Sequence, residues 1–260
     1  MKAVKNIFCT ALILMAVTGA VFAGPGAEGV AKIQKTGVLK VGVKSDVPKF
    51  GLLNTNTNRY EGLEIELAGL IAKEILGDAT KVAFTPVTAK TRGPLLDNGD
   101  IDLVIATFTI TEERKLTYNF STSYYTDAVG LLVKKASGFT GLKDMDGKTI
   151  GVAQSATSRA AIQEAADELG VTISFMEFAT YPEIKAALDS GRVDVFSVDK
   201  SILNGYLDNE CVILPDAFSP QEYGVTSKLS NKELAAGVDK LIQKWLKDGV
   251  IAGLVKKYDL

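Results

Sequence analysis

Leu96-Asp97-Asn98-Gly99-Asp100-Ile101-Asp102-Leu103-Val104-Ile105 returns later in the chain as Leu188-Asp189-Ser190-Gly191-Arg192-Val193-Asp194-Val195-Phe196-Ser197. In each copy a helical pattern ending in Leu-Asp meets a Gly suited to a left-handed C-cap, and an apolar run opened by Asp follows. That order reads as helix, tight turn, buried strand. A second echo precedes each copy: residues 38–43 and 148–153 are both short apolar runs of strand character. Two β-α-β lobes on one chain enclose a cleft, and clefts are where small molecules bind.

The 260 residues carry 29 Lys and Arg against 31 Asp and Glu, a formal charge of −2 that offers no basic footprint for nucleic acid. Lys2 and Lys5 precede an apolar stretch over residues 7–17, and Val21-Phe22-Ala23 ends it with small residues at the cleavage positions. Residues 1–23 therefore read as a secretory signal peptide, because the apolar run is short of a membrane span and Gly and Pro follow it. Cys9 lacks the surroundings of a lipoprotein site, so a freely soluble, monomeric periplasmic protein is expected. After cleavage Cys211 remains alone, which rules out an intramolecular disulfide and suits a small buried hydrophobe. The sequence contains no histidine. Ser-His-Asp and Cys-His catalysis and His-containing metal sites are thereby excluded, and neither metal nor cofactor is expected.

Strand and helix signals alternate along the rest of the chain. Leu63, Leu67, Leu70, Ile71 and Ile75 keep a helical period over 63–76 until Gly77 stops it, and Thr91-Arg92-Gly93-Pro94 opens a helix that Gly99 closes. Strands are expected at 81–85, 102–106, 149–153, 172–177 and 193–198, and helices at 157–169, 181–189 and 200–207. Residues 223–227 read as a return strand, and an amphipathic helix around Trp245 pads the first lobe. The expected division is lobe 1 over 24–128 and 222–260 and lobe 2 over 129–221. Each lobe should be a mainly parallel sheet flanked by helices, with two crossings as a hinge.

In open α/β sheets ligands bind beyond the carboxyl ends of the strands. There the sequence supplies Lys44-Ser45-Asp46, then Thr107, Thr109 and Arg114, then Gln154-Ser155-Ala156-Thr157, and finally Asp199. Arg92 and Arg114 fall at helix starts, where the dipole disfavours a cation, and Arg114 occupies the position that a capping box after Thr111 would give to Glu. A bound anion resolves both conflicts; the alternative is that each guanidinium bends into solvent. Arg159, also early in a helix, reads as a surface residue. Lys44 as a hydrated strand-end lysine, Asp199 as a helix cap and Tyr181 as packing are equally open on these features alone.

Val43-Lys44-Ser45-Asp46-Val47-Pro48, Ala89-Lys90-Thr91-Arg92-Gly93-Pro94-Leu95-Leu96-Asp97-Asn98-Gly99, Ile105-Ala106-Thr107-Phe108-Thr109-Ile110-Thr111, Ile150-Gly151-Val152-Ala153-Gln154 and Phe196-Ser197-Val198-Asp199-Lys200-Ser201-Ile202-Leu203 resemble one family. It is the polar-amino-acid family of ABC-transporter solute-binding proteins, bacterial family 3, and within it the aspartate/glutamate branch. The Thr-x-Thr-x-x-x-x-Arg element from Thr107 to Arg114 is similar across the family, whereas Lys44, Arg92 and Tyr181 resemble the acidic branch. The resemblance implies a two-lobed periplasmic binding protein of type II that captures L-aspartate or L-glutamate and delivers it to a membrane permease. It also implies that Arg114 with the N–H groups of Thr109 and Thr157 holds the α-carboxylate, that Asp199 and the Thr107 hydroxyl take the ammonium, and that Lys44, Arg92 and Tyr181 meet the side-chain carboxylate. Phe50 falls where the family often has an aromatic cover.

Lys44, Arg92 and Arg114 against Asp199 make three cations to one anion, which matches a dicarboxylic amino acid. Glutamine, the alternative ligand, would leave Lys44 and Arg92 facing each other, at a cost of several kcal/mol if both are desolvated. A dehydratase on the same fold would need a free carboxylic acid, and Asp199 is the acid in this constellation, so binding rather than catalysis is expected.

Overall fold

A computed structural model describes residues 28–260; the expected signal peptide and Cys9 lie outside the described residues. The chain runs through α1 (Glu28–Thr36) and β1 (Leu39–Val43) into a small antiparallel sheet of β2 (Asp46–Val47), β3 (Gly51–Asn54) and β4 (Arg59–Glu61). This sheet was not expected from the alternation of the sequence. Next come α2 (Leu63–Leu76), β5 (Val82–Pro86), α3 (Arg92–Asn98), β6 (Leu103–Ile105), α4 (Glu112–Lys115) and β7 (Tyr118–Phe120). The second lobe holds β8 (Tyr125–Lys134), β9 (Lys148–Ala153), α5 (Ser158–Leu169), β10 (Ile173–Phe178), α6 (Tyr181–Asp189), β11 (Val195–Asp199), α7 (Lys200–Asn204), β12 (Cys211–Ile213) and β13 (Phe218–Tyr223). The chain then returns through β14 (Thr226–Lys228), α8 (Lys232–Lys247) and α9 (Val250–Lys257) to the first lobe.

The first lobe's sheet has the order β5-β1-β6-β14-β7, and the second β10-β9-β11-β8-β12 with β13 also on β8. The expectation of mainly parallel sheets needs correction. Three strands in each are parallel, because helical crossovers join them, but β14 and β7 in the first sheet and β8, β12 and β13 in the second pair antiparallel to their neighbours. These are the strands that carry the chain between or around the lobes without a βαβ crossover. The return segment is likewise split: β13 still pairs with β8, and only β14 joins the first sheet.

The repeated sequence builds the same contacts twice. Gly99 and Gly191 adopt left-handed backbone at φ 78° and 73°, which an L side chain would strain. Asp102 then donates its N–H to the Lys40 carbonyl and accepts the Lys40 N–H on its carboxylate at 3.0 Å; Asp194 does the same with Thr149, at 2.8 Å. Each clamp sets β6 beside β1 and β11 beside β9, so that the carboxyl ends of all four strands are brought to the cleft.

Val41, Leu67, Ile71, Leu103, Ile242 and Trp245 pack into one buried cluster, and Ile150, Val152, Ile162 and Val195 into another. Each large side chain fully withdrawn from water contributes about 1.5–3 kcal/mol. Cys211 is a buried free thiol, as its small apolar surroundings suggested. Among the described residues no helix is long and apolar enough to cross a membrane.

Candidate ligand-binding site

Lys44 follows directly on β1 and is 2% exposed. Its Nζ lies 3.0 Å from Asp46 Oδ1 and 4.5 Å from the centroid of the Tyr181 ring; burial lowers the lysine pKa, against the pull of Asp46. Arg92, the first residue of α3, is buried as well. Its Nη1 donates to the carbonyls of Ala106 at 2.7 Å and Thr107 at 3.1 Å, and its guanidinium stands 3.9 Å over Phe108. Arg114 donates from Nη1 to the Thr109 carbonyl at 2.8 Å and from Nη2 across the cleft to the Ser155 carbonyl at 3.1 Å, and stands 4.7 Å from the same Phe108 ring. Neither arginine bends into solvent. Two carbonyls and an aromatic face hold each guanidinium.

Thr107 organises this wall from a strained position. Its φ of 44° is left-handed for a residue with a β-branched side chain, a conformation that costs of order 1–3 kcal/mol and clusters at binding sites. The turn aims the Thr107 carbonyl at Arg92 and its N–H at Glu64, and leaves its hydroxyl buried without a hydrogen-bond partner among the described residues.

On the second lobe, Asp199 ends β11 at the N-cap position of α7, yet it does not cap that helix. Asp127 does so instead, accepting the Ser201 N–H at 2.9 Å, and the Asp199 carboxylate accepts the Tyr223 hydroxyl. Burial pushes Asp199 up to about 7, with the nearby Asp127 charge adding to the rise. Tyr181 begins α6, is buried against Phe196 and Tyr206, and donates its N–H to Asp46 Oδ2 at 3.4 Å, so that it packs and faces the cleft at once. Thr109 and Thr157 meet through a third residue: both hydroxyls donate to Gln221 Oε1, at 2.8 and 2.7 Å. Gln221 lies on β13, and its Nε2 is held by the Ser219 carbonyl, which orients the oxygen toward the threonines. Phe50 is buried edge-on to Tyr125 and Tyr223. Arg159 lies on the surface, paired with Glu177 at 2.6 Å.

Glu64 was missed. It sits in the first turn of α2, fully buried, with Oε1 accepting the Thr107 N–H at 2.6 Å and the Tyr124 hydroxyl at 2.5 Å. Burial raises its pKa to about 7, although those two donors and the charges of Arg92 and Lys44 pull it down. The sequence held a signal for it: Glu64, Leu67, Ala68, Ile71 and Ile75 form one stripe of α2, and a carboxylate heading an apolar stripe is rarely buried without a purpose. Asp46 stands in the strand-end stretch Lys44-Ser45-Asp46 and adds a second acid to those read from the sequence. With both included, the three cations Lys44, Arg92 and Arg114 face three acids, Asp46, Glu64 and Asp199, rather than Asp199 alone. Asp127, which accepts the Ser201 N–H and hydroxyl at the start of α7, adds a further negative charge beside Asp199.

A two-lobed fold with its polar groups gathered at the strand ends on both sides of the cleft is the architecture that residues 39–259 share with bacterial extracellular solute-binding proteins, family 3. The chain belongs to that family. The fold is the type II periplasmic binding protein, and the lobes of this family member are drawn together by contacts between Arg114 and Ser155, Tyr206 and Asp46, and Lys44 and Tyr181. The chain is 41% identical to a glutamine-binding protein of Geobacillus stearothermophilus over 80% of its length and 79% of that protein. An ABC transporter glutamine-binding protein of Bacillus subtilis is 36% identical over 98% of this chain and 97% of its own. An L-glutamate/L-aspartate-binding protein of Pseudomonas aeruginosa is 25% identical over 100% of this chain and 88% of its own. Among solved structures, an ancestral arginine-binding protein bound to glutamine superposes with a TM-score of 0.76 at 32% identity, covering 85% of this chain and 97% of that one.

Proposed function

We propose that this protein captures a polar amino acid of no net charge, L-glutamine foremost, between its lobes and presents it to an ABC-type permease. The meeting of three cations, two of them buried, with three acids in the cleft carries the reading, since a zwitterion with a carboxamide side chain adds no net charge to them. The two glutamine-binding relatives support it. Arg114 with the N–H groups of Thr109 and Thr157 would hold the α-carboxylate, and Asp199 with the unpartnered Thr107 hydroxyl the ammonium. Lys44, Arg92 and Tyr181 would line the side-chain end. The lobes are proposed to hinge where β8 and β13 pair at Tyr125 and Tyr223, beside the bridge between Tyr223 and Thr109 of the first lobe. Because both lobes contribute contacts, the ligand would favour the closed state by its differential affinity for it.

A second reading, capture of L-aspartate or L-glutamate, is favoured by the proximity of Lys44 and Arg92 and by the Pseudomonas aeruginosa relative. A dehydratase reading gains an acid in Glu64 that the sequence count lacked, but two donors already hold Oε1 of that carboxyl. Calorimetry of the chain, stripped of carried-over ligand, against L-Gln, L-Glu, L-Asp and L-Asn tests the assignment. L-Gln should bind near micromolar, about −8 kcal/mol, and more tightly than L-Glu. The reverse order would overturn glutamine in favour of the dicarboxylates.

A further inference from the structure

The two lobes also meet away from the residues assigned to the ligand, where the turn between β2 and β3 faces the end of α7. The Tyr206 hydroxyl, from just beyond α7, donates to the Asp46 carbonyl of β2, and Gly205, which ends α7, lies against the Pro48 ring. A methyl group added at Gly205 would stand 2.8 Å from Pro48 Cγ and 2.9 Å from its Cδ, closer than van der Waals contact allows. The backbone at this position does not ask for glycine, since φ −72° and ψ −15° lie in the right-handed region open to any residue. Gly99 and Gly191 serve a left-handed turn; Gly205 serves the approach of the other lobe.

Both sides of this contact are anchored within their own lobe. Pro48 is a closed ring that cannot swing aside, and the carbonyls of Lys49 and Phe50 next to it accept the N–H groups of Leu63 and Glu64 at 2.8 and 3.0 Å, which fastens the turn to α2. Opposite, Gly205 and Tyr206 donate their N–H groups to the carbonyls of Ile202 and Leu203, both at 2.9 Å, and those two residues are buried in the core. The Tyr206 ring stands edge-on to Phe196 and Tyr181, with centroids 5.6 and 6.4 Å away. A side chain at position 205 is therefore relieved by moving the lobes apart rather than by local repacking.

We propose that this contact is an inter-lobe latch: Pro48 seated on Gly205, with the Tyr206–Asp46 hydrogen bond beside it, stabilises the closed arrangement through groups outside those assigned to the ligand, and Gly205 is the positioning residue that lets the lobes shut. The inference rests on the cleft being an amino-acid site that closes around its ligand. Because these contacts exist only when the lobes are together, they raise the fraction of binding-competent protein and hence the apparent affinity for any ligand that needs both lobes.

Gly205→Leu drives a wedge into the contact, and Tyr206→Phe removes the hydroxyl while keeping the ring. Calorimetry of the stripped protein should show the dissociation constants for L-Gln and L-Glu rising together, by about tenfold or more in Gly205→Leu and about threefold to tenfold in Tyr206→Phe, the effect of one hydrogen bond. The ratio between the two amino acids should stay within about twofold of wild type, because the latch faces neither ligand's side chain. Small-angle scattering with saturating ligand should leave Gly205→Leu with a larger radius of gyration than wild type.

Dissociation constants within about twofold of wild type in both variants would overturn the latch. A ratio that shifts as the constants rise would overturn it as well, since the pocket rather than its closing would have changed. Should Gly205→Leu lose its cooperative melt, Tyr206→Phe decides by the same criteria. Wild type that binds neither amino acid would remove the amino-acid reading and the latch with it, whereas unchanged variants beside a binding wild type would remove the latch alone.

Discussion

Helix α3 with strand β6 and helix α6 with strand β11 share one construction, a left-handed glycine followed by an aspartate clamp onto the neighbouring strand, yet they deliver opposite chemistry to the cleft. The first carries Arg92 at its helix start and turns after β6 through the strained Thr107 to Phe108, against which two guanidiniums stack. The second carries Tyr181 at its helix start and ends its strand on a buried carboxylate, Asp199. Scaffold and chemistry are therefore separable. The turn depends on its own backbone and the clamp on a backbone and carboxylate pair of hydrogen bonds to the neighbouring strand, which both copies make, whereas the charges depend on single residues just beyond the strand, where either sign fits the same fold.

The difference can be tested first where it should matter most. Asp199→Ala removes the acid that the second lobe brings, so ligand affinity should fall by ~2–5 kcal/mol, the usual penalty for leaving one partner of a buried charged pair alone. The fold should persist, since Asp127 caps α7. Wild-type affinity by calorimetry would mean that the two copies do not divide the ligand between them.

Next comes acidity, because each lobe contributes one raised carboxyl, Glu64 in the first and Asp199 in the second, both near 7. A carboxyl whose folded pKa lies above its unfolded value of about 4 lends stability that is complete below pH 4 and lost as pH rises through about 7. The ligand-free protein should thus melt several degrees higher at pH 5 than at pH 8, with Glu64→Gln flattening part of the slope. A ligand ammonium on Asp199 favours the ionised form, so stabilisation by added L-Gln should grow from pH 5 to pH 8. A ligand-free melting point that rises with pH over this window would show that neither acid is held as described.

The smallest effect concerns the shared scaffold. Asp102→Ala and Asp194→Ala should each lower the melting temperature by about 2–4 °C, as expected for losing a hydrogen bond worth about 1 kcal/mol, and by similar amounts. Neither should alter ligand affinity. A several-fold disparity in thermal scans would break the equivalence of the two copies.

Much of this was legible in one dimension because it is local. Gly99 and Gly191 announce left-handed caps, the Leu67–Ile71–Ile75 spacing announces the buried face of α2, and the strand-end rule pointed to Lys44, Thr107 and Asp199 as cleft residues. What escaped notice depends on residues distant in sequence. Asp127 takes over the capping of α7 from Asp199 across the β8–β11 ladder, Gln221 gathers Thr109 and Thr157 from opposite lobes, and Glu64 meets Thr107 and Tyr124 only once α2 packs beside β6.

By itself, then, the sequence determined a two-lobed α/β chain with a polar cleft, because caps, periods and strand ends obey short-range steric and hydrogen-bonding rules. Only the tertiary structure decided the electrostatic sum inside the cleft. Charge balance is a property of which groups meet in space: Glu64 enters the cleft through the packing of α2, and Asp46, though visible at a strand end, counts there through its ion pair with Lys44.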